Sequence, residues 1–130
     1  MDNTRSKKKH NPSRAKSELI RWLPPILWAA LIFTFSSMEQ VKVSQLFFWD
    51  FLLKKTAHIA EYAILYALIF RANGKKWVFS FIILLIYAIS DEIHQSFVPG
   101  RTPSPLDIGF DMSGASTASY IIWKLKSRLT

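Results

Sequence analysis

The sequence predicts an all-α membrane protein with four transmembrane helices and both termini in the cytoplasm. Three observations predict this fold class. Half of the 130 residues are hydrophobic, apolar and charged residues are segregated into separate blocks, and each of four apolar blocks approaches the roughly 20 residues that a membrane-spanning helix needs. The predicted organisation is a basic cytoplasmic tail over residues 1–21 and a four-helix membrane domain over residues 22–126.

The four apolar blocks differ in how clearly they predict a span. They cover residues 22–38, 47–70, 77–98 and 106–123. Blocks one and three are the clear predictions, whereas blocks two and four carry ionisable residues, which are costly in lipid. Block one has Pro24 and Pro25 near its start, where a helix tolerates proline. It begins too far into the chain, and lacks the small-residue cleavage site, to be a removable secretory signal.

The distribution of Lys and Arg predicts the orientation. Thirteen of the seventeen lie in the tail, in the turn over residues 71–76 or after block four, which all fall on one side of an even number of spans. The net charge of +8 would also suit a nucleic acid. These charges, however, lie at the ends of apolar blocks, where anionic lipid would meet them. We therefore expect membrane lipid, and no nucleic acid, as a partner. The chain has no cysteine, which excludes a disulfide framework and thiol chemistry.

Polar residues of blocks two, three and four are predicted to lie at one membrane depth, near the outer surface. Five of the nine acidic residues and two of the three histidines are among them. At 100° per residue, those of each block share a helix face, with Glu92 at the edge of its arc, as expected for side chains that point into a bundle. The predicted site comprises Lys55, His58, Glu61, Tyr62, Asp91, Glu92, His94, Gln95, Arg101, Asp107 and Asp111.

Each of these residues taken singly is better explained as a membrane-edge anchor or a helix cap. Their convergence favours function, because ionisable residues inside a membrane usually have a functional role. We expect Asp91 and Gln95 to face inward, the Pro99-Gly100 pair to form a turn, and Arg101 to cover the top as the partner of an anion or a carboxylate.

Block four also predicts close helix packing. Gly114 and Ala118 form a small-xxx-small pair, which lets two helices approach closely. They lie on the same helix face as Asp111, so the packing of this face would also turn Asp111 into the bundle.

The order of the polar residues resembles the VanZ-like family, small bacterial membrane proteins named after a teicoplanin-resistance protein. The resemblance covers about residues 23–125, and it is carried by Lys55-x-x-His58-x-x-Glu61-Tyr62, then Ser90-Asp91-Glu92-x-His94-Gln95-x-Phe97-x-Pro99-Gly100-Arg101, then Asp107, Asp111 and Gly114-Ala115. It implies a multi-pass protein of the bacterial plasma membrane with a role in the cell envelope, and glycopeptide tolerance for the namesake.

The first functional hypothesis is an outward-facing polar pocket that binds or modifies an envelope lipid, a cell-wall precursor or a glycopeptide. Lys55, His58 and Arg101 would meet an anionic group, and carboxylates would orient them. The remaining predicted ligand-binding residues are Tyr62, His94, Gln95, Asp107 and Asp111.

Two alternatives remain open. A membrane-embedded hydrolase or transferase would use His58, Glu61, Asp91 and Glu92 for acid–base chemistry, or such a cluster would hold a divalent metal. A small transporter or proton relay has less support, because the inner halves of the blocks offer mainly Tyr66, Ser80 and Thr117 as polar groups. The cofactor and the oligomeric state are undetermined by the sequence.

Overall fold

Four α-helices make up the structure. This computed structural model describes residues 12–38 and 47–129, and it has no strand within them. The helices are α1 (Pro12–Ser36), α2 (Phe47–Ala72), α3 (Trp77–Gln95) and α4 (Pro105–Leu129). The all-α part of the predicted fold class is therefore confirmed, and each apolar block lies within or largely overlaps one helix.

Two of the helices are long and apolar enough to cross a membrane, over Lys16–Ser36 and Trp77–Gln95. Only 17% and 28% of these windows is buried inside the described structure, whereas the core helix of a soluble protein is mostly buried. Helices α2 and α4 do not meet the same criterion of length and hydropathy among the described residues. Spans in α2 and α4, and the cytoplasmic location of both termini, remain predictions.

Helix α1 begins at Pro12, well before apolar block one. Residues 12–21, which were assigned to the tail, form its first turns, while residues 1–11 of that tail lie outside the described residues. Pro24 and Pro25 consequently lie inside the helix and not near its start. The prediction erred because hydropathy marks where an apolar run begins, whereas proline at the first helical position and the polar helix formers after it begin the helix earlier.

The helices form a bundle in which α2 and α3 contact every other helix, and α1 and α4 lie apart within the described residues. The core contains Ile32, Tyr62, Leu65, Tyr66, Ile69, Phe70, Leu84, Ala88, Ala115 and Ala118. Helices α2 and α4 approach each other closely at Gly114, where a Cβ atom would lie 2.2 Å from the carbonyl oxygen of Ile59. The predicted small-residue face is confirmed, since Gly114 and Ala118 are both buried against this interface.

The bundle has two chemically different ends. At the basic end, α1 and α3 begin and α2 and α4 finish, and Arg21 Nη2 donates to the carbonyl of Ala72 over 2.6 Å. The basic residues of this end include Lys16, Arg21, Arg71, Lys75, Lys76, Lys124, Lys126 and Arg128. At the opposite, polar end, α1 and α3 finish and α2 and α4 begin. The predicted site residues of α3, of the loop after it and of α4 lie next to the polar end, and those of α2 lie between its third turn and its middle.

Helix α3 has a largely apolar exposed side. Its buried residues are Ser80, Leu84, Ala88, Asp91, Glu92 and Gln95, of which four are polar. Its exposed side includes Phe79, Ile86 and Ile93, each more than half exposed. A surface helix of a soluble protein shows the reverse pattern, with apolar residues inside and charges outside. Contiguous exposed apolar surface of this kind marks contact with a partner or with lipid.

Candidate functional site

A buried carboxylate, Asp91, is the centre of the site. It is 1% exposed, and its Oδ2 accepts hydrogen bonds from Ser36 Oγ at 2.8 Å, Gln95 Nε2 at 2.9 Å and the Tyr62 hydroxyl at 3.4 Å. The donors come from α1, α3 and α2, so this one oxygen ties three helices together. The other oxygen, Oδ1, is buried with no hydrogen-bond partner among the described residues.

The network continues from Asp91 to the rim of the bundle through Gln95 and Arg101. Gln95 Oε1 accepts from Arg101 Nη1 at 2.7 Å, and Arg101 Nη2 lies 3.4 Å from the carbonyl of Phe35. Arg101 follows a turn closed by its own N–H on the carbonyl of Val98, with Gly100 at φ 78°. The predicted Pro99-Gly100 turn is confirmed, because its third residue needs the positive φ that glycine adopts readily.

Arg101, which was expected to be the partner of an anion or a carboxylate, bonds to no carboxylate of the described residues. Its guanidinium bonds to two neutral acceptors, the Gln95 amide and a main-chain carbonyl, and it forms no ion pair with a carboxylate among the described residues. Its Nε is buried without a hydrogen-bond partner in the same part of the chain. The turn places Arg101 over the ends of α1 and α3, whereas Asp107 and Asp111 of α4 are paired with Lys55 and His58 of α2.

A second set of polar side chains joins α2 to α4. His58 Nδ1 lies 3.1 Å from Asp111 Oδ1, and one turn toward the rim, Lys55 Nζ forms an ion pair with Asp107. These two helices run parallel, so side chains spaced three and four residues apart meet in register. Lys55 Nζ also lies 5.4 and 5.2 Å from the ring centroids of Phe51 and Phe110. The predicted convergence of blocks two and four is therefore present.

Tyr62 links the hydrogen bonds around Asp91 to the His58–Asp111 pair. Its hydroxyl reaches Asp91, while its ring is stacked beside that of His58 with centroids 6.4 Å apart. Glu61 precedes it and is half-buried, and its main-chain carbonyl accepts from Trp28 Nε1 at 3.0 Å, which fixes α1 against α2. The site therefore has a continuous line of polar side chains from Arg101 through Asp91 and Tyr62 to His58.

Two predicted residues lie at the edge of this line. Glu92 was expected at the margin of its helix face, yet it is buried, because its Oε1 accepts from the main-chain N–H of Ser104 just before α4. His94 is half-buried and points instead toward α1. Its ring stacks on Phe33 at 4.0 Å between centroids, and its Nε2 lies 2.9 Å from Ser37 Oγ. His94 therefore belongs to the α1–α3 contact and not to the centre.

Helix α1 was missing from the predicted site. It supplies Ser36, which is 3% exposed and bonds to Asp91, and the Phe35 carbonyl near Arg101. A signal was present in the sequence: Ser36 and Ser37 interrupt block one at the same predicted depth as the acidic residues of block three. Single hydroxyl groups are frequent at helix ends, so Ser36 and Ser37 alone did not predict a functional site.

The arrangement can recognise polar groups. Among the described residues, no group of three or more His, Asp or Glu side chains lies in a position to hold a metal ion. Acid–base chemistry is possible at His58, since Asp111 orients one ring nitrogen and the other can accept a proton. A polar relay through the bundle has little support. Thr117 is exposed, and its Oγ1 bonds to the Ser113 carbonyl of its own helix.

Comparison with known proteins identifies a family. A family model described as VanZ/LLP1 matches residues 3–127 of the 130-residue chain. The matched range includes all residues of the site, and it begins inside the predicted tail. No curated protein and no solved structure matches the chain.

Proposed function

The chain belongs to the VanZ/LLP1 family, and from this premise we propose that it is a multi-pass protein of the bacterial plasma membrane whose polar end binds an envelope lipid, a cell-wall precursor or a glycopeptide. All four helices cross the bilayer, the basic end faces the cytoplasm, and the site opens outward. Tolerance of glycopeptides such as teicoplanin is the phenotype that such binding would produce.

The inverted distribution of polarity supports the membrane part of this proposal. The family membership and two candidate spans suggest a membrane protein, and none of the ionisable residues His58, Glu61 and Asp111 of α2 and α4 is exposed. Asp91 and Asp111 are 1% and 2% exposed, while Leu53, Val78 and Ile86 are each more than 60% exposed. In water this arrangement would expose apolar surface and bury charge at once, both at a cost. In lipid, it is the arrangement of lower free energy.

The observation that carries the binding proposal is the line from Arg101 to Asp91. Lys55 and His58 already have carboxylate partners in Asp107 and Asp111, so their charges are compensated within the protein. The charged side chain of Arg101 bonds to neutral acceptors at the rim. A phosphate or carboxylate of a ligand would find a planar, bidentate partner there. Of the three cations first expected to meet an anion, Arg101 is the one that fits.

Behind Arg101, the site favours a group that donates a hydrogen bond. Asp91 Oδ1 is a buried acceptor without a partner, and Arg101 Nε is a buried donor without one. Native proteins rarely leave such groups unpaired, and those that remain often contact water, an ion or a ligand. A hydroxyl or an amine next to an anionic group satisfies both requirements. Cell-wall precursors, glycopeptides and many envelope lipids carry this combination.

Binding is tested on protein purified in detergent by thermal unfolding with teicoplanin or with a lipid-linked cell-wall precursor added. A ligand at 100 times its Kd stabilises a folded protein by about 2.7 kcal/mol. We expect one of these probes to stabilise the wild type, and Arg101→Gln and Asp91→Asn to lose that stabilisation. Two controls are matched in position: Thr102→Ala next to Arg101, and Ser90→Ala next to Asp91, both exposed.

The same four variants are then expressed in a strain that lacks the protein, at equal protein levels. Restoration of glycopeptide tolerance, or of other envelope phenotypes, by Arg101→Gln and Asp91→Asn as fully as by the two controls contradicts the proposal. Equal stabilisation of all four variants by the probe contradicts it as well, because the ligand would then bind elsewhere.

Catalysis is the second candidate, and the His58–Asp111 contact favours it. A carboxylate on one ring nitrogen of histidine is the arrangement that orients a general base. The test is mass spectrometry of the lipid-linked precursor after incubation with the wild type and with His58→Gln. A product formed by the wild type alone supports a hydrolase or transferase, and an unchanged precursor with both proteins contradicts it.

A further inference from the structure

A groove at the basic end is separate from the polar site. It has a volume of about 480 Å³, within the range of roughly 300–1,000 Å³ typical of ligand pockets. Its walls come from α3 and α4, and its lining residues are Trp77, Phe81, Ser116, Ser119, Tyr120 and Trp123. We propose that this groove holds one acyl chain of an anionic phospholipid of the inner leaflet, with the phosphate at the start of α3.

The lining suits an acyl chain near the membrane surface. Phe81 and Trp77 form the α3 wall and pack on Tyr66 and Phe70, with ring centroids 4.6 and 4.4 Å apart. On the α4 side, Tyr120 and Trp123 are more than half exposed although both are large aromatic residues. Tryptophan and tyrosine concentrate where lipid headgroups meet acyl chains.

The charge around the groove suits an anionic headgroup. Lys76 precedes Trp77 and Lys124 follows Trp123, and their Nζ atoms lie 5.8 and 5.9 Å from the ring centroids of Phe79 and Tyr120. These contacts leave both ammonium groups at the surface. Among the described residues of the basic end, Glu18 is the only acidic one, and it forms an ion pair with Arg21 on α1.

The start of α3 adds backbone donors at the same place. The residue before the helix, Lys76, makes no side-chain capping hydrogen bond, and the first turn has no acidic residue. The first N–H groups of a helix have no partner within the helix and attract anions. A phosphate there would meet these N–H groups together with Lys76 and Lys124, while its acyl chain follows the groove.

This inference rests on the membrane part of the proposed function and is independent of the polar site. The test is native mass spectrometry of the full chain released from micelles that contain phosphatidylglycerol and phosphatidylcholine in equal amounts. We expect the wild type to retain one phosphatidylglycerol in preference to phosphatidylcholine. Lys76→Ala with Lys124→Ala should lower that preference by roughly thirtyfold, from the usual contribution of a lysine near an anionic lipid surface.

Two further variants separate a built site from general attraction. Arg71→Ala with Arg128→Ala removes the same charge at the same end but away from the groove lining, and should keep the preference. Ser116→Phe fills the groove without changing charge, and should lose the retained lipid. Ser116 is exposed, so this variant should fold, which its helical circular dichroism checks.

Three results overturn the proposal. Equal loss in both charge variants means unspecific attraction, and equal retention of the two lipids means that the headgroup is not recognised. A lipid-free dimer that Ser116→Phe converts to a monomer means that the groove binds a second copy of this chain.

Discussion

The polar end and the basic end of this bundle are built from the same four helices but handle charge in opposite ways. At the polar end, charged groups lie inside, and Asp91 and Asp111 each have a hydrogen-bond partner on another helix. At the basic end, lysines such as Lys76 and Lys124 lie outside, over exposed aromatic rings. The interior at that end is aromatic and apolar, with Tyr66, Phe70 and Phe81 in contact.

The difference shows that buried charged groups hold the helices together at the polar end, whereas the charged groups of the basic end lie on the surface. A buried carboxylate with three donors fixes the positions of three helices, so its loss leaves several groups unsatisfied. A lysine at the surface contributes little to stability. Substitutions at the polar end should therefore mainly change the stability of the fold. Substitutions at the basic end should mainly change lipid association.

The largest effect is expected where α2 and α4 touch beneath the polar end. Gly114→Leu should destabilise the fold by at least about 3 kcal/mol, because even a Cβ would lie 2.2 Å from the Ile59 carbonyl. Thermal unfolding in detergent measures this change. Gly109→Ala is the control in the same helix, as nothing lies within 4 Å of its Cβ position. A Gly114→Leu variant as stable as this control would contradict the close approach.

The central carboxylate gives the next effect. Asp91→Ala should cost about 3 kcal/mol, since it leaves donors on Ser36, Tyr62 and Gln95 without their shared acceptor. Lys124→Ala at the basic end should change stability by less than about 0.5 kcal/mol. Equal losses in the two variants, measured by the same unfolding assay, would remove the distinction between the two ends.

The contrast was only partly predictable from the sequence. The alternating direction of blocks two, three and four was enough to bring His58, Asp91 and Asp111 to one end, and the helical period predicted that they face the inside of the bundle. Hydropathy did not predict the hydrogen-bond partners. Arg101 donates to the Gln95 amide, and Glu92 accepts from the main-chain N–H of Ser104. Such contacts depend on where a loop crosses the bundle, which a helical period does not determine. Ser36 was missed because one hydroxyl carries little weight without its carboxylate.

A double-mutant cycle sharpens the comparison within the polar end. His58→Ala and Asp111→Ala should show a coupling free energy of about 1–2 kcal/mol, because the two side chains are in direct contact. His58→Ala combined with Ser116→Ala, at the other end, should be additive within about 0.5 kcal/mol. Additivity in both pairs would mean that the His58–Asp111 contact contributes nothing to the fold.

The smallest effect is expected at the rim. Lys55→Met should cost about 1 kcal/mol, because it removes the ion pair with Asp107 but keeps the apolar contact with Phe51 and Phe110. Thermal unfolding of Lys76→Met at the basic end serves as the reference and should show a smaller shift. A larger loss at Lys76 than at Lys55 would reverse the proposed roles of the two ends.

The measurement that tests the central claim most directly is cysteine labelling in right-side-out membrane vesicles. The chain has no native cysteine, so Thr102→Cys at the polar end and Ser127→Cys at the basic end each carry a single thiol. A membrane-impermeant maleimide should label position 102 in sealed vesicles and position 127 only after the vesicles are opened. Labelling of both positions in sealed vesicles, or of position 127 alone, would contradict a bundle that spans the membrane with its polar end outside.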